Sequence, residues 1–226
     1  MVVPIRIGKT GLWFSVCCVL LLLSACSMQK PANTQEARTS DEKKLAENQT
    51  QRNPDQQKEP VRIDYLAPVS GITSPEIYVY KEKRRLYVIQ ANVLVRDYPV
   101  GLGSNPTGDK ERAGDGRTPE GDFLILRKDA AGRLNKALGL SYPGKKHAEK
   151  AFFAGLLTPA ELKEIVLAGE RKAAPPLNTK LGSGIYIHAG GAQRDWTDDG
   201  SISLYNSDME ELFQLASTGT PVHIRP

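Results

Sequence analysis

The sequence predicts an α/β domain of the α+β type, in which a mostly antiparallel sheet carries a few packed helices. Three observations point there. Short β-branched and aromatic runs follow one another at 76–81, 85–91 and 92–100, as strands linked by tight turns do. Two later stretches carry helix-start signatures with apolar residues at helical spacing behind them. All of this falls within residues 61–226, one domain's worth of chain and enough to bury a core, with no internal repeat.

Taken in order, 76–81 (EIYVYK) and 85–91 (RLYVIQA) read as a hairpin closed by a charged turn, and 92–100 (NVLVRDYPV) continues the meander. A loop rich in Gly, Asp and Arg follows at 104–117, then Thr118-Pro119-Glu120-Gly121 and a new strand at 122–128 (DFLILRK). Thr158-Pro159-Ala160-Glu161 supplies an N-cap threonine, a proline at N1 and a glutamate at N3, ahead of Leu162, Ile165 and Val166. Ser207-Asp208-Met209-Glu210 reads as a second capping box. Met209, Leu212, Phe213 and Ala216 behind it share one helix face. That helix is expected to stop at Gly219 and pass to a last strand at 221–224.

The N-terminus bears on compartment. Arg6 and Lys9 precede an apolar run at 12–23, too short for a stable membrane span, and this pattern reads as an export signal over residues 1–25. It ends in Leu23-Ser24-Ala25-Cys26, which resembles a bacterial lipobox, so Cys26 is the expected lipidation site and membrane anchor. Ser27 after it, in place of aspartate, implies an outer-membrane destination facing the periplasm. Residues 26–60 then form a polar tether with too little apolar surface to offset its ordering entropy. Its end-to-end distance averages roughly 30–35 Å.

Cysteine usage narrows the chemistry. The three cysteines are Cys17, Cys18 and Cys26, so beyond the anchor no thiol remains for a disulfide, a metal site or a nucleophile. Net charge is +4, with basic clusters at 81–85 and Lys145-Lys146. In an exported chain these read as solvated faces or contacts for anionic wall polymer and lipid headgroups, with no nucleic-acid partner.

The chemistry-bearing stretch is 185–191 (IYIHAGG), then 195–213 (DWTDDGSISLYNSDMEELF) and 219–224 (GTPVHI). It resembles the catalytic end of the YkuD-type L,D-transpeptidases, where a histidine after a strand is followed by a Gly-Cys pair carrying the nucleophile. His188 stands at the histidine, Gly200 at the glycine, and Ser201 at the cysteine. The segments LYVIQANVLVRDYPVGLG, GDGRTPEGDF and LGLSYPG extend the resemblance across most of 76–224. It implies the YkuD fold, no cofactor, and peptidoglycan stem peptides as partner. The implied chemistry is acyl transfer to an amine (cross-linking) or to water (trimming).

Departures cluster at the site. A serine needs general-base help that a thiol hardly does. Asp198 and Asp199 replace the family's usual residues before Gly-Cys, one extra residue lies in 195–200, and Ser203 stands where many members carry arginine. The two carboxylates would either oppose an oxyanion or orient His188. Residues 195–202 also carry the ligand spacing of a Ca²⁺ loop, though Asn206 holds the twelfth position, so no metal is expected. His147 and His223 lie outside the motif, as structural or surface residues. Two functions compete: an enzyme using Ser201 as nucleophile and His188 as base, or an inactive relative that binds peptidoglycan or regulates partner wall enzymes.

Overall fold

The structure, a computed structural model, describes residues 62–131, 136–197 and 199–226. The export signal, Cys26, the tether and Asp198 lie outside the described residues. The described residues belong to one compact unit, Lys58–Pro226.

Nine strands form one mixed sheet: β1 (Arg62–Ile63), β2 (Glu76–Tyr80), β3 (Arg85–Gln90), β4 (Val93–Pro99), β5 (Gly121–Asp129), β6 (Ala137–Leu140), β7 (Tyr186–Ala189), β8 (Ile202–Leu204) and β9 (Pro221–Arg225). Their spatial order is β1-β4-β3-β2-β9-β5-β6-β7-β8. The pairings β1–β4, β2–β9 and β7–β8 are parallel and the other five antiparallel, in keeping with the predicted sheet. Alternation is clean along β2, where Ile77 and Val79 are buried, and along β3, where Leu86 and Val88 face the same core. Strand β9 lies between β2 and β5 and so joins the meander to the half of the sheet that carries the motif.

Among the described residues three α-helices pack on this frame: α1 (Lys145–Phe153), α2 (Pro159–Glu170) and α3 (Asn206–Leu215). The α2 start is built as its sequence indicates. Glu161 N–H donates to Thr158 Oγ1 (3.3 Å), and Thr158 N–H donates back to Glu161 Oε2 (2.7 Å). Helix α3 differs. Its N-cap is Tyr205, not Ser207, because the chain runs straight from β8 into the helix and Ser207 falls inside the first turn. There Ser207 Oγ bonds Asp208 Oδ1 at 3.3 Å instead of a backbone N–H. Met209, Leu212 and Leu215 of α3 enter the main core. The helix ends at Leu215, before Gly219, where Lys128 Nζ donates to the carbonyls of Phe213 (2.5 Å) and Ala216 (2.6 Å). These are the orphan acceptors of a helix end, met by a cation that also lies 4.4 Å from the Phe213 ring centroid. A smaller core of Ala148, Ala151, Leu157, Ile165 and Leu181 holds α1 and α2 together.

One member of a basic cluster is not solvated, while Lys83 and Arg84 beside it are exposed. Lys81 is only 4% exposed, and its ammonium donates to Gly108 O, Thr118 O (3.1 Å) and Glu120 Oε1 (2.8 Å), pinning the 104–120 loop to the β2–β3 turn. His147 is buried against Phe123 and Tyr142 with Nε2 3.1 Å from Asp109 Oδ1. His223 stacks on Tyr78 and bonds Asp122. Both are structural.

Candidate active site

The motif residues converge at the β7–β8 edge of the sheet. In the parallel register Ile187 pairs with Ile202 and His188 with Ser203. The isoleucines face the core, which leaves His188 and Ser203 together on the opposite face. Ser201, just ahead of β8, therefore lies beside Tyr186, two residues (about 6–7 Å along the strands) from the level of His188.

Hydrogen bonds assign each polar atom a partner. His188 is 2% exposed, and its Nδ1 lies 2.6 Å from the carbonyl oxygen of Ala189. A carbonyl only accepts, so Nδ1 carries the proton and Nε2 holds the lone pair, the tautomer a general base needs. Burial is the largest influence on this imidazole and holds its pKa below the usual value; the Ala189 bond and the Asp199 charge act the other way. Ser201 is 1% exposed. Its Oγ accepts from Tyr186 N–H (3.1 Å), its N–H donates to Asp199 Oδ1 (2.9 Å), and its carbonyl accepts from Thr197 Oγ1 (2.7 Å). None of these bonds joins Ser201 to His188.

Gly200 shapes this corner. Its φ is +94°, and a Cβ built there would lie 1.9 Å from the carbonyl oxygen of Arg117, so backbone passes against backbone where only glycine fits. The preceding loop docks on the strand-end residues 101–104. Asp195 Oδ1 accepts from Leu102 N–H (2.9 Å) and from Arg84 Nη1. Thr197 bridges to Gly103, and Gly101 exchanges both backbone bonds with Ser203. Trp196 closes the arrangement. Its Nε1–H donates to Ser203 Oγ (2.9 Å), and its ring meets the His188 imidazole edge-on at 5.5 Å between centroids. Three open hollows among the described residues, about 170, 190 and 50 Å³ in size, have neither His188 nor Ser201 in their walls.

The structure thus gathers His188, Gly200 and Ser201 into one corner, without a hydrogen bond between base and hydroxyl. Trp196 and Thr197 belong to the same corner and are not evident as site residues in sequence; Ser203, marked there only by standing where many members carry arginine, is the partner of Trp196. Only the Asp199-to-Ser201 contact has a local signal, an acidic side chain reaching the backbone N–H two residues on. The Ca²⁺-type spacing gathers no ligand set, since Asp195, Thr197 and Asp199 turn to Leu102, Ser201 O and Ser201 N. Among the described residues no three His, Cys, Asp or Glu side chains come together to hold a metal ion.

Comparison with known proteins agrees with this architecture. Residues 74–224 match the model of the L,D-transpeptidase catalytic domain, YkuD. Similar solved structures include the helical cell shape determining protein Pgp2 from Campylobacter jejuni, at 19% identity and TM-score 0.46, covering 67% of this chain and 47% of that one. Bd1075 from Bdellovibrio bacteriovorus is 21% identical with TM-score 0.43, covering 73% and 51%. An L,D-transpeptidase from Mycobacterium smegmatis is 13% identical with TM-score 0.40, covering 68% and 59%. The chain therefore spans about half the length of these structures. No curated protein matches the sequence.

Proposed function

The chain belongs to the L,D-transpeptidase catalytic domain family, YkuD, and on that premise we propose that it is a cell-envelope lipoprotein whose domain binds peptidoglycan stem peptides without performing acyl transfer. The observation that carries the second half is the bond from Ser201 N–H to Asp199 Oδ1. Acyl transfer needs backbone donors free to meet the oxyanion as it forms. Here the N–H of the residue at the nucleophile position already serves a carboxylate, whose negative charge stands where a second one would develop. The hydroxyl is buried, accepts from Tyr186 N–H and lacks the His188 contact that would activate it. A domain built this way keeps the family's frame and loses its turnover.

Lipid attachment at Cys26 and a tether of roughly 30–35 Å average span would hold the domain at the outer membrane, within reach of the wall. A regulatory contact with partner wall enzymes fits the same placement.

One feature favours the enzyme reading: the His188 tautomer with Nε2 unprotonated, as a base for Ser201 would require. Incubating the soluble domain from residue 61 onward with muropeptides separates the two. Retention of muropeptide with unchanged products supports binding alone. Cross-linked or trimmed products, lost in Ser201→Ala, would overturn it in favour of a serine enzyme.

A further inference from the structure

The face of β7 and β8 that carries His188 also carries a row of rings. Tyr186 and His188 project to it from β7, and Ser203 from β8. The alternation of extended chain puts Tyr205, which follows β8 with extended dihedrals, on the side of Ser203. Trp196 lies over the middle of the row. It is 39% exposed although its N–H is already taken by Ser203 Oγ, so what it offers solvent is ring surface. It also packs against Gly190, where an added Cβ would meet the indole at 3.0 Å. Tyr205 is 43% exposed and Tyr186 is half-buried, its ring 5.0 Å from the Arg127 guanidinium. From the level of Tyr186 to that of Tyr205 the strip runs about 13 Å.

We propose that this strip, Tyr186–Trp196–Tyr205, is a saccharide platform on which the pyranose rings of the wall's glycan strand lie. This rests on the wall-binding reading and adds the glycan strand to the stem peptides as a part of the wall polymer that is held. Sugar rings present C–H faces that pack on aromatic planes and hydroxyls that need polar partners at the edges. The strip supplies the Trp196 indole and the Tyr205 phenol ring, while one face of the Tyr186 ring is taken by Arg127. Two of the cations beside it are held by carboxylates. Arg127 is paired with Asp129 at 3.2 Å, and Arg84, beside the Trp196 loop, is paired with Asp195, so neither cation faces the strip unbalanced. The chemistry beneath is closed: Trp196 covers His188, and Ser201 is buried. The sugar rings are therefore received on the outer surface of the indole.

The test uses the full chain carrying Trp13→Phe, in which Trp196 is the single tryptophan, and a peptide-free oligomer of β-1,4-linked N-acetylglucosamine as probe. The expected result is a saturable shift of Trp196 emission. Tyr205→Ala, at an exposed position, should weaken binding about tenfold, the upper end of what one ring contact supplies. Trp196→Phe should retain most of the affinity, measured by retention on insoluble glycan, because the ring remains. If the oligomer leaves the emission unchanged while a muropeptide shifts it, the ligand is the peptide. The platform is then refuted and wall binding stands. If neither is bound, both fall.

Discussion

Replacing Ser201 by cysteine restores the atom that the family uses, and the hydrogen bonds at this corner say how much that change alone should achieve. A thiolate forms far more readily than an alkoxide, so activation by His188 ceases to be the obstacle. The donor remains occupied. Asp199 Oδ1 sits 2.9 Å from Ser201 N, the distance an oxyanion would need from the same nitrogen, and the two oxygens cannot both have its hydrogen. Loss of one such donor slows acyl transfer by about a hundredfold to a thousandfold. Repulsion from the carboxylate adds to that, by about 4 kcal/mol for two unit charges 4 Å apart at an effective dielectric of 20. Ser201→Cys alone should thus give little or no acyl-enzyme, and Ser201→Cys with Asp199→Ala should form it at least about a hundredfold faster. Asp199→Asn separates the two effects, since its amide oxygen still accepts the N–H but carries no charge, and it should fall between. The assay is intact-protein mass spectrometry of the acyl adduct during incubation with muropeptides, with melting temperatures recorded for each variant. A Ser201→Cys protein as fast as the double variant would refute the blocked-donor account.

Three further outcomes are expected. Cys26→Ala should abolish labelling by a fatty-acid probe and leave the protein soluble or its signal uncleaved; unchanged labelling would remove the anchor. Lys128→Met should lower stability by about 1–2 kcal/mol, because the Phe213 and Ala216 carbonyls lose a charged donor; a denaturation midpoint equal to wild type would contradict it. Burial alone would raise the Asp109 pKa, but bonds from His147, the Glu120 N–H and Lys146 outweigh it and hold the carboxyl well below the usual range. A depressed carboxylate stabilises above its unfolded pKa of about 3.9 and ceases to as pH falls through the folded value. Asp109→Asn should accordingly destabilise at neutral pH, and the difference from wild type in thermal melts should shrink below about pH 4. A difference independent of pH would show that the carboxylate's charge is not what matters there.

Where the sequence was legible, the deciding contacts are local. The β2–β3 hairpin and the Thr158 cap depend on residues within a few positions of one another, and both stand where their pattern puts them. Helix α1 was not anticipated because its start, Gly144, offers no side-chain cap and its buried positions are His147, Ala148 and Ala151, a weakly apolar face. Lys81 looked solvated inside a run of charges. What buries it is a loop that begins more than twenty residues later. The same division runs through the site. Histidine, glycine and serine could be read from spacing, but the choice of Tyr186 N–H as the partner of Ser201 and of Ser203 as the partner of Trp196 follows from the β7–β8 register. Register of a parallel pair is fixed by how a whole sheet packs, which no short motif records.

The position of β9 has a consequence for the birth of this protein. The strand between β2 and β5 is made of residues 221–225, whereas β2 begins at residue 76, so the central pairing closes a span of nearly the whole domain. During synthesis, at roughly 5–20 residues per second, the meander emerges many seconds before the strand that must sit against it. Until then β2 and β5 expose unpaired edges, and the loop-closure entropy of the long span delays their union further. Such a chain stays unfolded while it is being made and completes its sheet only when nearly all of it is free. If the chain is exported, as proposed from its N-terminal pattern, this lateness favours threading, because the sheet cannot be completed before its last residues are free.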